Sequence, residues 1–274
     1  TNFSYLIKKF YEDIKIFKKH NLSLLDYFKK IIFKLNKIII KKYYKNSKYH
    51  ILLNNYSKKK IFNKNKFKKI NGKIFSALNL AFISYNFKFK LLNHNYIFWP
   101  DGVFSTYLLK LKKVPGRLFF LKFLKIINKN KKKYKKIFVI GNLPIISKDW
   151  LNENINQPFE HKKFPFTNYN NLKYFTERLN LLNNSLVILT LPTPKQELVA
   201  NLLSSKYPKN DFICIGGSIN ILSGLEKQSP KIFSILNLEW LWRLRFDTFR
   251  RLKRLIESSY FYLKLFIYYK NNIF

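Results

Sequence analysis

Several short apolar runs in this chain stop at residues that turn the backbone. Ile137–Ile140 ends at Gly141, Phe212–Ile215 at Gly216-Gly217, and Leu186–Leu191 runs into Pro192. Ile74–Leu80 and Tyr96–Trp99 add two further candidate strands, and helix-like segments alternate with the five. That order is the signature of βαβ units, so the expected class is α/β with a parallel sheet over residues 57–235. Strand ends of this kind gather loops at the carboxyl edge of the sheet, where α/β folds bind ligands. Neither G-x-G-x-x-G nor G-x-x-x-x-G-K-[ST] occurs, so dinucleotide and P-loop fingerprints are both absent. The run Lys129–Lys136 reads as a solvated helix end before the next strand.

Composition narrows the class further. The 274 residues include one cysteine, Cys214, which can form no internal disulfide and is too few for a structural zinc site. His20, His50, His94 and His161 have no metal-ligand spacing. A disulfide-stapled module, a zinc finger and a collagen-like chain are therefore excluded, while 47% hydrophobic residues suffice for a packed core. The formal charge is +39. Abundant Lys, Asn, Ile, Phe and Tyr are the imprint of an AT-rich genome, which spreads much of the Lys excess over a solvated surface. The resulting field still attracts anionic lipid, nucleic acid or phosphorylated substrates.

No apolar window reaches the ~18 residues of a spanning helix. Ile31–Ile40 is broken by Lys34 and Lys37, and Leu255–Tyr269 carries Glu257 and Lys264. No signal-peptide pattern opens the chain, so the protein is expected to stay in the cytoplasm. Residues 1–56 contain no Gly or Pro, and Leu22, Leu25, Phe28, Ile32 and Leu35 recur at helical steps. This basic helical N-terminal extension either packs on the main domain or lies on an anionic membrane surface. Residues 236–274 form a second basic helical appendage. Five of the chain's seven Arg fall within twelve residues, at Arg243, Arg245, Arg250, Arg251 and Arg254. Composition bias would scatter them, and Arg binds phosphate oxygens bidentately. An aromatic-apolar stretch follows, from Leu255 to Tyr269. The pattern suits an interfacial membrane anchor, or a core-packed helix with a solvated basic face.

Four motifs in order carry a resemblance. They are W-P-D-G at Trp99–Gly102, T-P-K-Q-E at Thr193–Glu197, I-G-G-S-I-N-I-L-S-G at Ile215–Gly224, and L-E-W-L-W-R-L at Leu238–Leu244 followed by F-R-R-L-K-R. Together, over roughly residues 70 to 265, they resemble the WecG/TagA/CpsF glycosyltransferases, glycosyltransferase family 26. The resemblance implies a compact Rossmann-like domain whose C-terminal helical appendage completes the active site at the membrane. It implies an inverting, UDP-sugar-dependent hexosyltransferase of cell-envelope polysaccharide synthesis, peripheral on the inner face of the cell membrane. The donor sugar would be of N-acetylmannosamine type and the acceptor a polyprenyl-diphosphate-linked sugar.

By the same resemblance Asp101 falls on the proposed general base. An inverting transfer needs one carboxylate beside the acceptor hydroxyl; a helix N-cap is the plainer role for this Asp. Gln196 matches a Gln that reaches the donor, and Lys195 and Glu197 share its motif. The same run reads as a helix first turn with Pro194 at its first position and Glu197 favouring the dipole. Gly216 and Gly217 either admit the nucleotide to the backbone or end a strand. Asn79 matches the Asn of an early T-x-N segment, with Ala77 in place of Thr. Lys113 replaces an Arg, and Lys227-Gln228-Ser229-Pro230 lacks another, departures that bear on which sugar is transferred. Arg243, Arg250, Arg251 and Arg254 would neutralise the leaving UDP or hold the acceptor's diphosphate. No D-x-D occurs, so metal independence is expected. Two other readings stand beside this one: a basic nucleic-acid-binding protein, which lacks any recognisable RNA-binding motif here, and a non-catalytic membrane scaffold of the same family.

Overall fold

The computed structural model describes residues 61, 62, 67, 71–102, 112–235, 239–245 and 248–271. The N-terminal extension expected over 1–56 lies outside the described residues. Six strands, β1 (Ile74–Leu78), β2 (Tyr96–Pro100), β3 (Ile137–Ile140), β4 (Phe159–Lys162), β5 (Leu186–Leu189) and β6 (Asp211–Cys214), form one sheet in the order β2-β1-β6-β5-β3-β4. Every pairing is parallel. The fold is Rossmann-like α/β, and each of the five expected strands is present.

Side chains alternate across each strand, so the sheet feeds two cores. On one face Ile74, Leu78, Phe98, Phe138, Ile140, Val187 and Phe212 meet α1 (Leu80–Phe89) and α5 (Lys195–Lys206). On the other, Phe75, Trp99, Val139, Ile188 and Ile213 meet α2 (Gly116–Lys129), α3 (Ile145–Asn154) and the short α6 (Ser218–Leu222). A strand covered on both faces reads as an unbroken apolar run, which is why Ile137–Ile140 and Leu186–Leu189 are legible in the sequence. The strand not anticipated is β4, Phe-Glu-His-Lys, half-buried at the sheet's edge. There Glu160 pairs with Lys136 at 2.5 Å and Lys162 at 2.7 Å, charges of the kind that blunt an open edge. At the other edge, Ile61 bridges to Phe98 in parallel sense and the Phe62 amide donates to the Phe98 carbonyl.

The lysine run after α2 departs from expectation at Lys133 and Tyr134. Lys132 and Lys135 are exposed, as a solvated helix end requires. Lys133 instead turns its side chain inward, with its Nζ 3.2 Å from Asp211 Oδ2, 2.9 Å from the Phe67 carbonyl and 3.7 Å above the Phe67 ring. The Tyr134 hydroxyl donates to the same carboxylate at 2.7 Å, and the Lys73 amide donates to its Oδ1 at 2.9 Å. A fully buried Asp211 thus ties together the amino ends of β1, β3 and β6.

After α4 (Leu172–Glu177), α5 and α6, the chain closes with α7 (Lys231–Ile235), α8 (Glu239–Leu244) and α9 (Thr248–Asn271). One face of α9 packs on α1. Tyr85 donates to Glu257 Oε2 at 2.7 Å, Ser258 is buried, and the Phe261 ring lies against Tyr85 with Lys88 over it. The opposite face exposes Phe249, Leu252, Ile256 and Tyr260. The stretch read as an anchor is therefore partly a packed helix. The side chains of 262, 263 and 265–269 lie outside the described set.

Candidate active site

The carboxyl edge of the sheet collects the segments that follow β1, β2, β5 and β6. Asn79 follows β1 and caps α1: its Oδ1 accepts the Phe82 amide at 3.0 Å, satisfying one of the helix's open N–H groups. Asp101 follows β2 on the neighbouring strand, its amide donating to the Leu78 carbonyl at 3.2 Å. The Asp101 carboxylate accepts from the Gly102 amide and lies near Lys113 and Arg243. Burial raises its pKa above the usual carboxylate value. Arg243, Lys113 and the Gly102 amide pull the other way, and Glu239 adds to the rise. A carboxylate lifted in this manner is a better proton acceptor near neutrality than an exposed one.

Two small residues meet beside it. A Cβ on Gly116, at the start of α2, would come within 2.8 Å of Ser218 Oγ and 3.9 Å of Asp101 Oδ2. Asp101, Gly116 and Ser218 therefore converge, although they belong to the β2 end, the α2 start and the α6 start. Ser218 is not among the site residues the sequence points to. It sits inside the I-G-G-S motif, and only the fold brings it to Asp101.

The appendage reaches the same place. Glu239, at the start of α8, lies 3.4 Å from Lys113 Nζ and 3.3 Å from Arg117. Arg243 stands one turn further along α8, half-buried, its pKa lowered by burial while Asp101 opposes the shift. The arginine cluster is thus divided. Arg243 faces Asp101, Arg251 donates to both oxygens of Glu226 at 2.9 Å, and Arg245 stacks on Trp242 at 3.3 Å. Arg254 is exposed on α9, and the Arg250 side chain lies outside the described set.

The T-P-K-Q-E run is divided as well. The helix α5 starts at Lys195, so Pro194 precedes it rather than occupying its first position. Lys195 points away from Asp101, donating to the Thr167 carbonyl and lying over the Phe166 and Tyr169 rings. Gln196 and Glu197 are both buried. Gln196 Nε2 donates to Thr193 Oγ1 and Glu197 Oε1, while its Oε1 accepts the Gly216 amide at 2.9 Å. Burial raises the pKa of Glu197 against three side-chain donors. Gly216 adopts a left-handed φ of 51°, a conformation that favours glycine, and Gly217 is exposed with open space where a side chain would stand. Among the described residues, no three His, Cys, Asp or Glu come together as a metal-ligand set, and no helix is long and apolar enough to cross a membrane.

This edge therefore offers a raised carboxylate flanked by cations, an open glycine turn and a hydroxyl, which together can deprotonate one hydroxyl while neutralising a nearby anion. Comparison with protein-family models matches residues 68–273 to the Glycosyl transferase WecG/TagA/CpsF family. That span contains all four motifs and every residue of the site just described. The chain belongs to the WecG/TagA/CpsF family and is a glycosyltransferase, acting between a sugar donor and an acceptor.

Proposed function

We propose that this glycosyltransferase inverts the anomeric centre of a UDP-sugar of N-acetylmannosamine type and transfers the sugar to a polyprenyl-diphosphate-linked acceptor. It would do so while attached peripherally to the inner face of the cell membrane. The observation that carries the reading is Asp101: one carboxylate, raised by burial, at the carboxyl edge beside Gly116, with Lys113 and Arg243 close by. Asp101 takes the proton of the acceptor hydroxyl. The freed oxygen pair forms a bond to the anomeric carbon as the bond from that carbon to UDP breaks. The departing pair leaves on the β-phosphate, where fixed cations lower the barrier. Arg243 is best placed for this, since Arg251 is already held by Glu226. The reading needs no metal, because the positive charge comes from Arg and Lys.

The test is UDP release from a panel of UDP-sugars, with and without a short-chain polyprenyl-diphosphate-GlcNAc acceptor in anionic micelles. Acceptor-dependent release with one donor, lost in Asp101→Asn, is the expected result. Turnover by Asp101→Asn at the wild-type rate would remove the base assignment. UDP binding without release from any donor would instead favour a non-catalytic scaffold.

A further inference from the structure

Glu197 lies in the first turn of α5, where an acidic side chain usually faces water and the helix dipole. Here it is 1% exposed. Its Oε1 gathers three donors from the segments around it: Ser76 Oγ on β1 at 3.0 Å, Thr193 Oγ1 at 3.2 Å and Gln196 Nε2 at 2.9 Å. Its Oε2 is buried with no hydrogen-bond partner among the described residues. Gln196 is equally committed. Both of its N–H groups are taken, by Thr193 and Glu197, and its oxygen holds the Gly216 amide. A continuous chain of hydrogen bonds therefore runs from β1 through Glu197 and Gln196 to the turn after β6.

That turn needs support. Gly216 has φ 51°, and a Cβ there would meet Leu191 O at 3.5 Å, so space is not what restricts it. Glycine reaches this conformation without strain but reaches many others as well, and the Gln196 carbonyl, which accepts its amide, holds it in this one.

We propose that Glu197 and Gln196 are positioning residues, which fix the 216–217 turn so that its backbone meets the donor's diphosphate, and that neither contacts the substrate. The proposal rests on the reading of this edge as the UDP-sugar site. Glu197 acts through its shape and its accepting Oε1, both of which Gln keeps, while the Gln N–H groups that replace the unpartnered Oε2 lower overall stability rather than release the 216–217 turn.

The experiment uses the full chain. UDP affinity is measured by calorimetry, and backbone hydrogen exchange is followed over residues 212–219, in wild type, Glu197→Gln, Glu197→Ala and Gln196→Ala. The expected result is an affinity within about 3-fold of wild type for Glu197→Gln. The two Ala variants should lose about 10-fold or more, with faster exchange over 212–219, because each leaves buried groups unpaired. If Glu197→Ala does not fold, the Gln196→Ala and Glu197→Gln pair carries the test. A Glu197→Gln variant as impaired as Gln196→Ala, with wild-type exchange, means the carboxylate acts on substrate directly and overturns the proposal. Unchanged exchange in both Ala variants overturns it too, whatever the UDP result. Exchange that responds as expected while wild type binds no UDP overturns the donor-site reading and leaves the strut standing.

Discussion

At Asp101 the proposed base role and stability pull in opposite directions. Its pKa is raised in the folded chain, so between the unfolded and folded values the native state holds a proton that the unfolded chain has already released. Stability associated with this group therefore falls as pH rises from the unfolded carboxylate value through the folded one. Asp101→Asn removes that loss. The variant is expected to melt above wild type at pH 8, with the gap closing as pH falls below the unfolded carboxylate value of ~4, where both states become protonated. Its turnover should drop by about 10²–10⁴-fold, the usual contribution of a positioned base. Melting curves across pH, read beside turnover, check both halves; a variant less stable than wild type at pH 8 would mean the nearby cations outweigh burial. Gly116 gives a second dissociation of the same kind. Gly116→Ala puts a methyl 2.8 Å from Ser218 Oγ, which can rotate away, and 3.9 Å from Asp101 Oδ2, which lies in the site. Stability should change by less than about 1 kcal/mol, within the range of tolerated Gly-to-Ala changes. Activity should fall by about 10-fold or more, as a small misplacement at the reacting centre costs. Equal losses of both, from denaturation and rate measurements on the same preparation, would contradict this. Asp101 is legible as a candidate through the W-P-D-G motif and the resemblance it carries. Ser218 and Gly116 are not, because their importance arises only where α2 and α6 approach each other.

The elements most visible in the sequence are those with two buried faces. β3 and β5 are apolar throughout, and a short continuous apolar run bounded by Gly or Pro suits a buried strand better than a helix. β4 escapes notice because an edge strand pairs on one side and need not be apolar; Glu160, His161 and Lys162 carry no alternation to detect. Lys133 escapes for the opposite reason, hidden among lysines that are solvated. It carries a prediction at this scale. Its ammonium is held against the buried Asp211, burial lowering the pKa of one and raising that of the other while their attraction opposes both shifts. Removing one member leaves the other uncompensated, so Asp211→Ala should cost about 3–5 kcal/mol in urea unfolding. It also strands the Lys73 amide and the Tyr134 hydroxyl. A loss below ~1 kcal/mol would place the pair in water rather than in the core. Lys132→Ala, exposed one residue earlier, should change stability by less than about 0.5 kcal/mol. The contrast separates the structural lysine from its compositional neighbours.

Across the whole molecule, the net charge of +39 and the exposed apolar stripe of α9 act at different ranges. The charge draws the protein toward any anionic surface, nonspecifically and with strong salt dependence. The stripe can act only on contact, by burial of apolar surface. Phe249, Leu252, Ile256 and Tyr260 recur at three- and four-residue steps on the side of α9 turned away from α1. Phe249 is 82% exposed and Ile256 60% exposed, so each retains most of its apolar surface for another phase. Lys253 and Lys264 lie exposed on the same helix, where they can meet lipid phosphates. Partition should therefore have two separable parts. On vesicles rich in anionic lipid, wild type should bind at low salt and retain part of that binding at high salt through the stripe. Phe249→Ser with Ile256→Ser should remove the salt-resistant part, since burying each large side chain contributes about 1.5–3 kcal/mol. The low-salt attraction should persist. Both side chains are exposed while Ser258 on the packed face is buried, so the packing of α9 on α1 and the melting temperature should hold. UDP binding in the absence of lipid should be unaffected for the same reason. Vesicle co-sedimentation across a salt series reads all of this. A double variant that partitions like wild type at high salt would move the contact away from α9, and the basic residues 1–56 become the segment to delete next.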